Sequence, residues 1–399
     1  MFKALYVVFL FLIIVSLVIF YKKNIESFSN NDLELKYINP DYSLSEYFPL
    51  GVKVVNLKRR ENFKNTSITK EDLLKKYDYD TLIYNIFLSY DNEELIIIGP
   101  PLFNFYENCF PLHFDGLGKN IKIQKNSDTC KFTEKQFFFK ITIPIDTNNV
   151  KKHNDIKLIF KNKQNITFKI PKNNYKCGDR ILVTKQKDNK IQWVSDWISH
   201  YQTKYEVSNV IVFDNNSKNT LELSNKLTND SVKIIPYKYN FGVPKTHQTS
   251  FFQNTILEIA KLQFCKTGAI LFNFDIDELL QIIPHKLNTL ILNNKKINLT
   301  FREWRVPMTL NNKNKYEYSF GDFKYKKREA SKKGYAPKYV VTIDKNTTLG
   351  IHNANNGVST NFLDDCFFHY SGINTNWKHN RSNLEKPEST KDLIRFNKI

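Results

Sequence analysis

Gly268-Ala-Ile-Leu-Phe-Asn-Phe-Asp275-Ile-Asp277-Glu278-Leu-Leu280 is an apolar run that ends in three carboxylates within four residues. Residues 269 to 274 are short, apolar and partly aromatic, and they follow a helix-like segment. They read as a buried strand of an α/β sheet, and ligands of such sheets bind outside the carboxyl ends of the strands. Two aspartates one residue apart at that place can share a divalent cation, one carboxylate ligating it and the other holding a water or a sugar hydroxyl. Hard oxygen donors suit magnesium or manganese, an ion that usually brings a phosphate with it. The plainer alternative is that Asp277 and Glu278 cap a turn or open a helix that Leu279 begins.

Towards the N-terminus, Ile181 to Thr184 is a short β run and Gln192 to Lys204 is helical, with Trp193, Trp197 and Tyr201 spaced by four on one face. Asn209 to Phe213 is a strand closed by Asp214-Asn215-Asn216-Ser217, and a helix from about Thr246 to Phe264 precedes the acidic run. This alternation predicts a largely parallel sheet flanked by helices. Asp214 and Asp275 both follow strands directly, so such a fold brings them to one edge. Beyond the acids, Ile297 to Val306 is a further strand, and a basic, loop-like segment from Asn311 to Lys338 carries Lys324, Lys326, Lys327, Arg328, Lys332 and Lys333. Val340 to Ile343 and Gly350 to His352 read as a hairpin. Phe367-Phe368-His369-Tyr370 sets a histidine at the end of an apolar run, where it can donate to a phosphate or ligate an ion held by Asp277.

Residues 51 to 172 differ in texture. Short alternating or apolar runs (Gly51 to Leu57, Leu82 to Leu88, Glu94 to Ile98, Gln136 to Ile143, Ile156 to Ile170) predict a β-rich domain of sandwich type. Residues 1 to 23 hold an apolar stretch from Ala4 to Tyr21 flanked by Lys3 and Lys22-Lys23, near the lower length limit for spanning a bilayer, and 24 to 50 read as a stem. A signal anchor is expected there, not a cleaved leader, because no small residues mark a cut. The chain of 399 residues is 41% apolar and 14% aromatic, ample for packed domains. Its 59 Lys and Arg against 40 Asp and Glu give a net charge of +19, which favours anionic partners. The basic residues are spread through Lys/Asn/Ile-rich text with no nucleic-acid-binding signature, so nucleic acid is not expected as a partner. Such text is what an AT-rich genome produces. Five cysteines without a Cys-x-x-Cys pair or Cys/His spacing argue against zinc.

Taken together, Trp193 to His200, Val212 to Ser217, Phe274 to Leu279, Lys338, His352 and His369-Tyr370 make about residues 177 to 378, within an expected domain of residues 177 to 399, resemble the family-92-type glycosyltransferases of the GT-A fold. The source this implies is a large DNA virus or another AT-rich genome. The resemblance implies transfer of a sugar, galactose by default, with inversion, from a UDP-sugar or other nucleotide-diphosphate donor to the hydroxyl of a glycan, glycoprotein or glycolipid. In it Asp277, Asp275 and His369 would hold Mn2+ or Mg2+. Asp275, Asp214, Lys338 and His352 would contact the donor, with Asp214 on its nucleobase or ribose. Glu303 is the first candidate for the catalytic base and Asp322 the second, while Trp304 and Trp377 are candidates to stack on sugar rings. The expected setting is a single-pass membrane protein of type II with its catalytic domain in the secretory lumen, in a host membrane if viral. The reading from a different class is an inactive carbohydrate-binding or structural membrane protein that keeps the fold.

Overall fold

The computed structural model describes residues 33–38, 49–61, 68–146, 148, 155–243, 246–309, 318–331, 336–373, 375 and 393–395. The expected anchor, most of the stem, Lys332, Lys333 and Trp377 lie outside the described residues. Among the described residues no helix is long and apolar enough to cross a membrane.

From Arg180 the chain alternates as its pattern predicts: β1 (Arg180–Gln186), α1 (Ile191–Tyr205), β2 (Asn209–Asp214), α2 (Thr220–Leu227), β3 (Val232–Pro236), α3 (Phe251–Ile259) and β4 (Ile270–Asn273). Then come β5 (Glu278–Leu280), α4 (Pro284–Leu292), β6 (Asn298–Val306), β7 (Lys338–Thr342) and β8 (Asn361–Tyr370). These eight strands form one mixed sheet in the order β3-β2-β1-β4-β7-β6-β8-β5. β1 to β4 pair in parallel, β6 pairs in parallel with β8, and only β7 and β5 run against their neighbours.

Burial explains the two layers on this sheet. In α1, Trp193, Trp197, Tyr201 and Tyr205 recur every four residues, which stacks them on one helical face, and all four are buried against β1, β2 and β4. Burying each side chain of this size contributes roughly 1.5–3 kcal/mol. The helix stops at Glu206, whose left-handed backbone (φ 53°) lets its N–H reach the Tyr201 carbonyl. On the other face α3 packs Phe252, Ile256 and Ile259 into a second core, which also takes Tyr84, Phe87, Ile96 and Ile98 from the N-terminal region.

That N-terminal region is β-rich: its described residues form one three-stranded and two four-stranded antiparallel sheets around a third core that includes Val52, Ile97, Phe114 and Ile141. It is tied to the large sheet by a buried ion cluster. Lys140 Nζ lies 2.6 Å from Glu258 Oε1 on α3, and Lys261 Nζ lies 2.9 Å from the other carboxylate oxygen. Lys261 also donates to the Thr347 carbonyl at 2.7 Å.

Three local expectations are corrected. Val340 to Ile343 is not half of a hairpin, because β7 lies between β4 and β6, and the small hairpin there pairs Thr348–Leu349 with Ala354–Asn355. Glu278 opens no helix: it begins the short strand β5, and the helix starts at Pro284. The basic segment is not all loop either, since Tyr325–Lys327 pairs with Leu393–Arg395. In each case pairing with a distant strand overrode local text.

Candidate functional site

The strand order positions the site. From β1 the chain steps outward through β2 and β3, then returns to β4 on the opposite side of β1. The crevice outside the carboxyl ends of β1 and β4 is therefore a topological switch point, the place where open α/β sheets bind ligands. β1 ends there with Lys185 and Gln186, and β4 runs out into Asp275.

The acidic motif is a closed turn. Glu278 N–H donates to the Asp275 carbonyl at 3.0 Å, and Asp275 N–H donates back to Glu278 Oε2 at 2.6 Å. Tyr370 N–H anchors the Asp277 carbonyl at 2.8 Å, so the turn is pinned to the end of β8. One carboxylate oxygen from each of Asp275, Asp277 and Glu278 lies within 4.8 Å of the others. Uncompensated, three carboxylates so close would repel strongly.

Two lysines supply the compensation. Lys338, 1% exposed on β7, lies 2.9 Å from Asp275 Oδ2 and 3.1 Å from Glu278 Oε2. Burial opposes its charge, but the two carboxylates outweigh burial and raise its pKa, so it stays an ammonium. Lys185, also buried, pairs with Asp275 Oδ1. Sequence reading missed Lys185. Its signal was a lysine ending the apolar run Ile181 to Thr184, but only the β1–β4 pairing brings it to the acid.

His369 completes the cluster at the end of β8. Its Nδ1 is 2.6 Å from Glu303 Oε1 and its Nε2 is 3.1 Å from Asp277 Oδ2. A carboxylate only accepts, so Nδ1 carries a proton. Burial draws the ring's pKa down, yet Asp277 and Glu303 more than offset this and push it up to about 10. Burial likewise works against the Glu303 carboxylate, but the bond from His369 and the nearby Arg305 hold its pKa below the ordinary value. An imidazole that gives one N–H to a carboxylate and turns its other nitrogen to the site is how a metal-ligating histidine is held. Asp277 Oδ2 and His369 Nε2, once its proton leaves, thus fit a hard divalent ion. Asp275 fits less well, because both its oxygens already meet ammonium groups.

Asp214 is fully buried; its carboxylate takes bonds from Gln186 Nε2, Ser217 N–H (3.1 Å), Ser217 Oγ (2.5 Å) and Thr220 Oγ1 (2.6 Å). It braces the turn after β2. Lys338 is paired with Asp275 and Glu278. His352 is close enough for Lys338, Asp275 and Lys185 to act on its ring. Burial first and Lys338 second push its pKa down to about 4, and its Nδ1–H donates to the Pro337 carbonyl at 3.1 Å. Asp322, the second base candidate, closes a capping box, accepting from Ser319 N–H (2.8 Å) and Ser319 Oγ (3.0 Å). Glu303, the first, is committed to His369. Trp304 has the Lys326 ammonium 3.4 Å from its ring centroid, so that ring face is already occupied. His200, on α1, donates from Nε2 to the Leu280 carbonyl at 3.0 Å.

No family model matches this chain, and no curated protein does. Solved structures similar to it include S. aureus TarS residues 1-349, at 13% identity and a TM-score of 0.29, over 49% of this chain and 61% of that one. The same fragment in complex with UDP-GlcNAc aligns at 12% identity and a TM-score of 0.28, over 48% and 58%. The bifunctional IspDF from Campylobacter jejuni aligns at 10% identity and a TM-score of 0.25, over 53% and 55%. The chain thus spans about three fifths or less of the length of these structures, and overlap at such TM-scores carries no conclusion about its fold or activity.

Proposed function

We propose that this chain is a metal-dependent glycosyltransferase that takes a sugar from a nucleotide-diphosphate donor. The observation that carries the reading is the meeting of Asp277, His369 and Glu303 with the Asp275–Glu278 turn at the switch point of a mainly parallel sheet. Asp277 and His369 would hold the ion, which when bound supplies positive charge against the leaving diphosphate. Glu303 orients the imidazole by accepting from Nδ1. Lys185 and Lys338 neutralise Asp275 and Glu278, so that the turn keeps its shape whether or not a cation is present. The family-92 resemblance rests on the motifs alone, and the finer features it implies (galactose, inversion, manganese, a glycan acceptor and a membrane anchor) belong to this proposal.

A screen of nucleotide sugars for manganese-dependent hydrolysis by the full chain tests it. Asp277→Asn is expected to lower that hydrolysis at least about 100-fold, since several kcal/mol of charge stabilisation go with the ion. If the wild-type chain binds no nucleotide diphosphate and Asp277→Asn changes nothing, the reading fails. The second reading, an inactive carbohydrate-binding protein, draws on the double pairing of Asp275 with lysines. It calls for glycan binding indifferent to both metal and UDP.

A further inference from the structure

Around His352 lies a cavity of about 410 Å3, inside the size range of small-molecule sites. Its wall joins both halves of the chain. Phe137, from the turn between two strands of the N-terminal region, faces Asn254 of α3, Thr300 of β6, His352, Asn353 and Thr360. Pro337, Ile351 and Ala354 add aliphatic surface, so among the described residues the wall is one aromatic ring, these aliphatic groups, two amides, two hydroxyls and one imidazole, with no ammonium, guanidinium or carboxylate.

The polar groups are set in place. Behind the wall, Asn298 is 3% exposed and donates to the Ala354 carbonyl (2.9 Å) and to Thr360 Oγ1 (3.1 Å). Thr360 Oγ1 is therefore an acceptor in that bond and keeps its own proton to donate. The His352 Nδ1–H is engaged by Pro337, and the ring is neutral, so Nε2 offers a lone pair. Among the described residues the cavity presents donors, acceptors and one aromatic face, and no charge to receive a phosphate or a carboxylate.

We propose that this cavity binds an uncharged sugar ring, its C–H face against Phe137 and its hydroxyls on Thr300, Thr360, Asn254 and His352. The inference deepens the glycosyltransferase reading and rests on it for the source of the ring, which is either the donor's sugar or the acceptor's terminal unit. The N-terminal region then has a role in recognition, since it contributes Phe137.

Saturation-transfer NMR on the full chain tests this, with the methyl glycosides of galactose, glucose and N-acetylglucosamine as probes and uridine as the competing chemistry. At least one glycoside is expected to bind, and Phe137→Ala and Thr300→Val are each expected to weaken it by about fivefold or more, as for the loss of one stacking face or one buried hydrogen bond. Melting temperatures of both variants separate loss of contact from loss of fold. No binding, binding that neither correctly folded variant weakens, or uridine taking the cavity in place of the glycosides would each overturn the proposal. Kinetics then assign the source. A raised KM for UDP-sugar hydrolysis in Phe137→Ala gives the ring to the donor, and an unchanged hydrolysis with a raised acceptor KM gives it to the acceptor. Glycoside binding that survives in a chain without donor hydrolysis upholds the cavity while the enzymatic reading falls.

Discussion

At the scale of single residues, the chemistry turns on who partners whom. Glu303 was the natural candidate for a base from its place on β6, but its hydrogen bond to His369 gives it, under the proposed function, the role of orienting that imidazole. The two roles differ in outcome. Glu303→Gln is expected to weaken manganese binding about 10- to 100-fold in a calorimetric titration, whereas a base would leave that affinity unchanged and lower only turnover. Lys338 is a second such case. Lys338→Met leaves Asp275 and Glu278 without their shared cation, and the cost expected is about 3 kcal/mol, the lower end for a broken buried pair because Asp275 is partly solvated. Denaturant unfolding measures it as a lower midpoint. His200 gives a pH dependence. Its pKa falls from 6.5 to about 4, mainly through burial. Between those values the unfolded chain takes up a proton that the folded chain refuses, so stability falls as pH drops through that window, by at most about 1.4 kcal/mol per pH unit. His200→Gln, which keeps a donor for the Leu280 carbonyl, is expected to flatten the slope between about pH 6.5 and 4 in a series of unfolding curves at fixed pH.

At the scale of elements, periodicity read well wherever an element buries one face on its own sheet. The four-residue spacing of Trp193, Trp197 and Tyr201 became α1 with little change of bounds, and the apolar run before Asp275 became β4. Trp197→Ala, at the centre of the α1 face, is expected to cost about 3–5 kcal/mol because neighbours of a buried tryptophan collapse only partly, and thermal unfolding would show it. β7 and β5 were misread for one reason. They run against their neighbours and gain stability from partners far along the chain: Val340 pairs with both Phe272 and Leu299, and Glu278 with His369. No local pattern encodes such a partner.

At the scale of the whole molecule, the N-terminal region and the large sheet are built around a shared core and a buried Lys140–Glu258–Lys261 cluster. A fragment of residues 177–399 would expose the aromatic face around Tyr237, Phe252 and Tyr339 that this core covers. Such a patch promotes association, so that fragment is expected to aggregate or bind a hydrophobic dye, while a chain that retains residues 33–172 does not. What the sequence by itself determined was the α/β class, the β-rich text before it, the place of the acidic motif at a strand end and the histidine at another. These depend on short-range periodicity and on where an apolar run stops. The tertiary structure decided which charges meet. Only strand pairing sets Lys185 on Asp275 and Glu303 behind His369, because carboxylates this close persist only where the fold supplies compensating cations, and those arrive from strands distant in sequence.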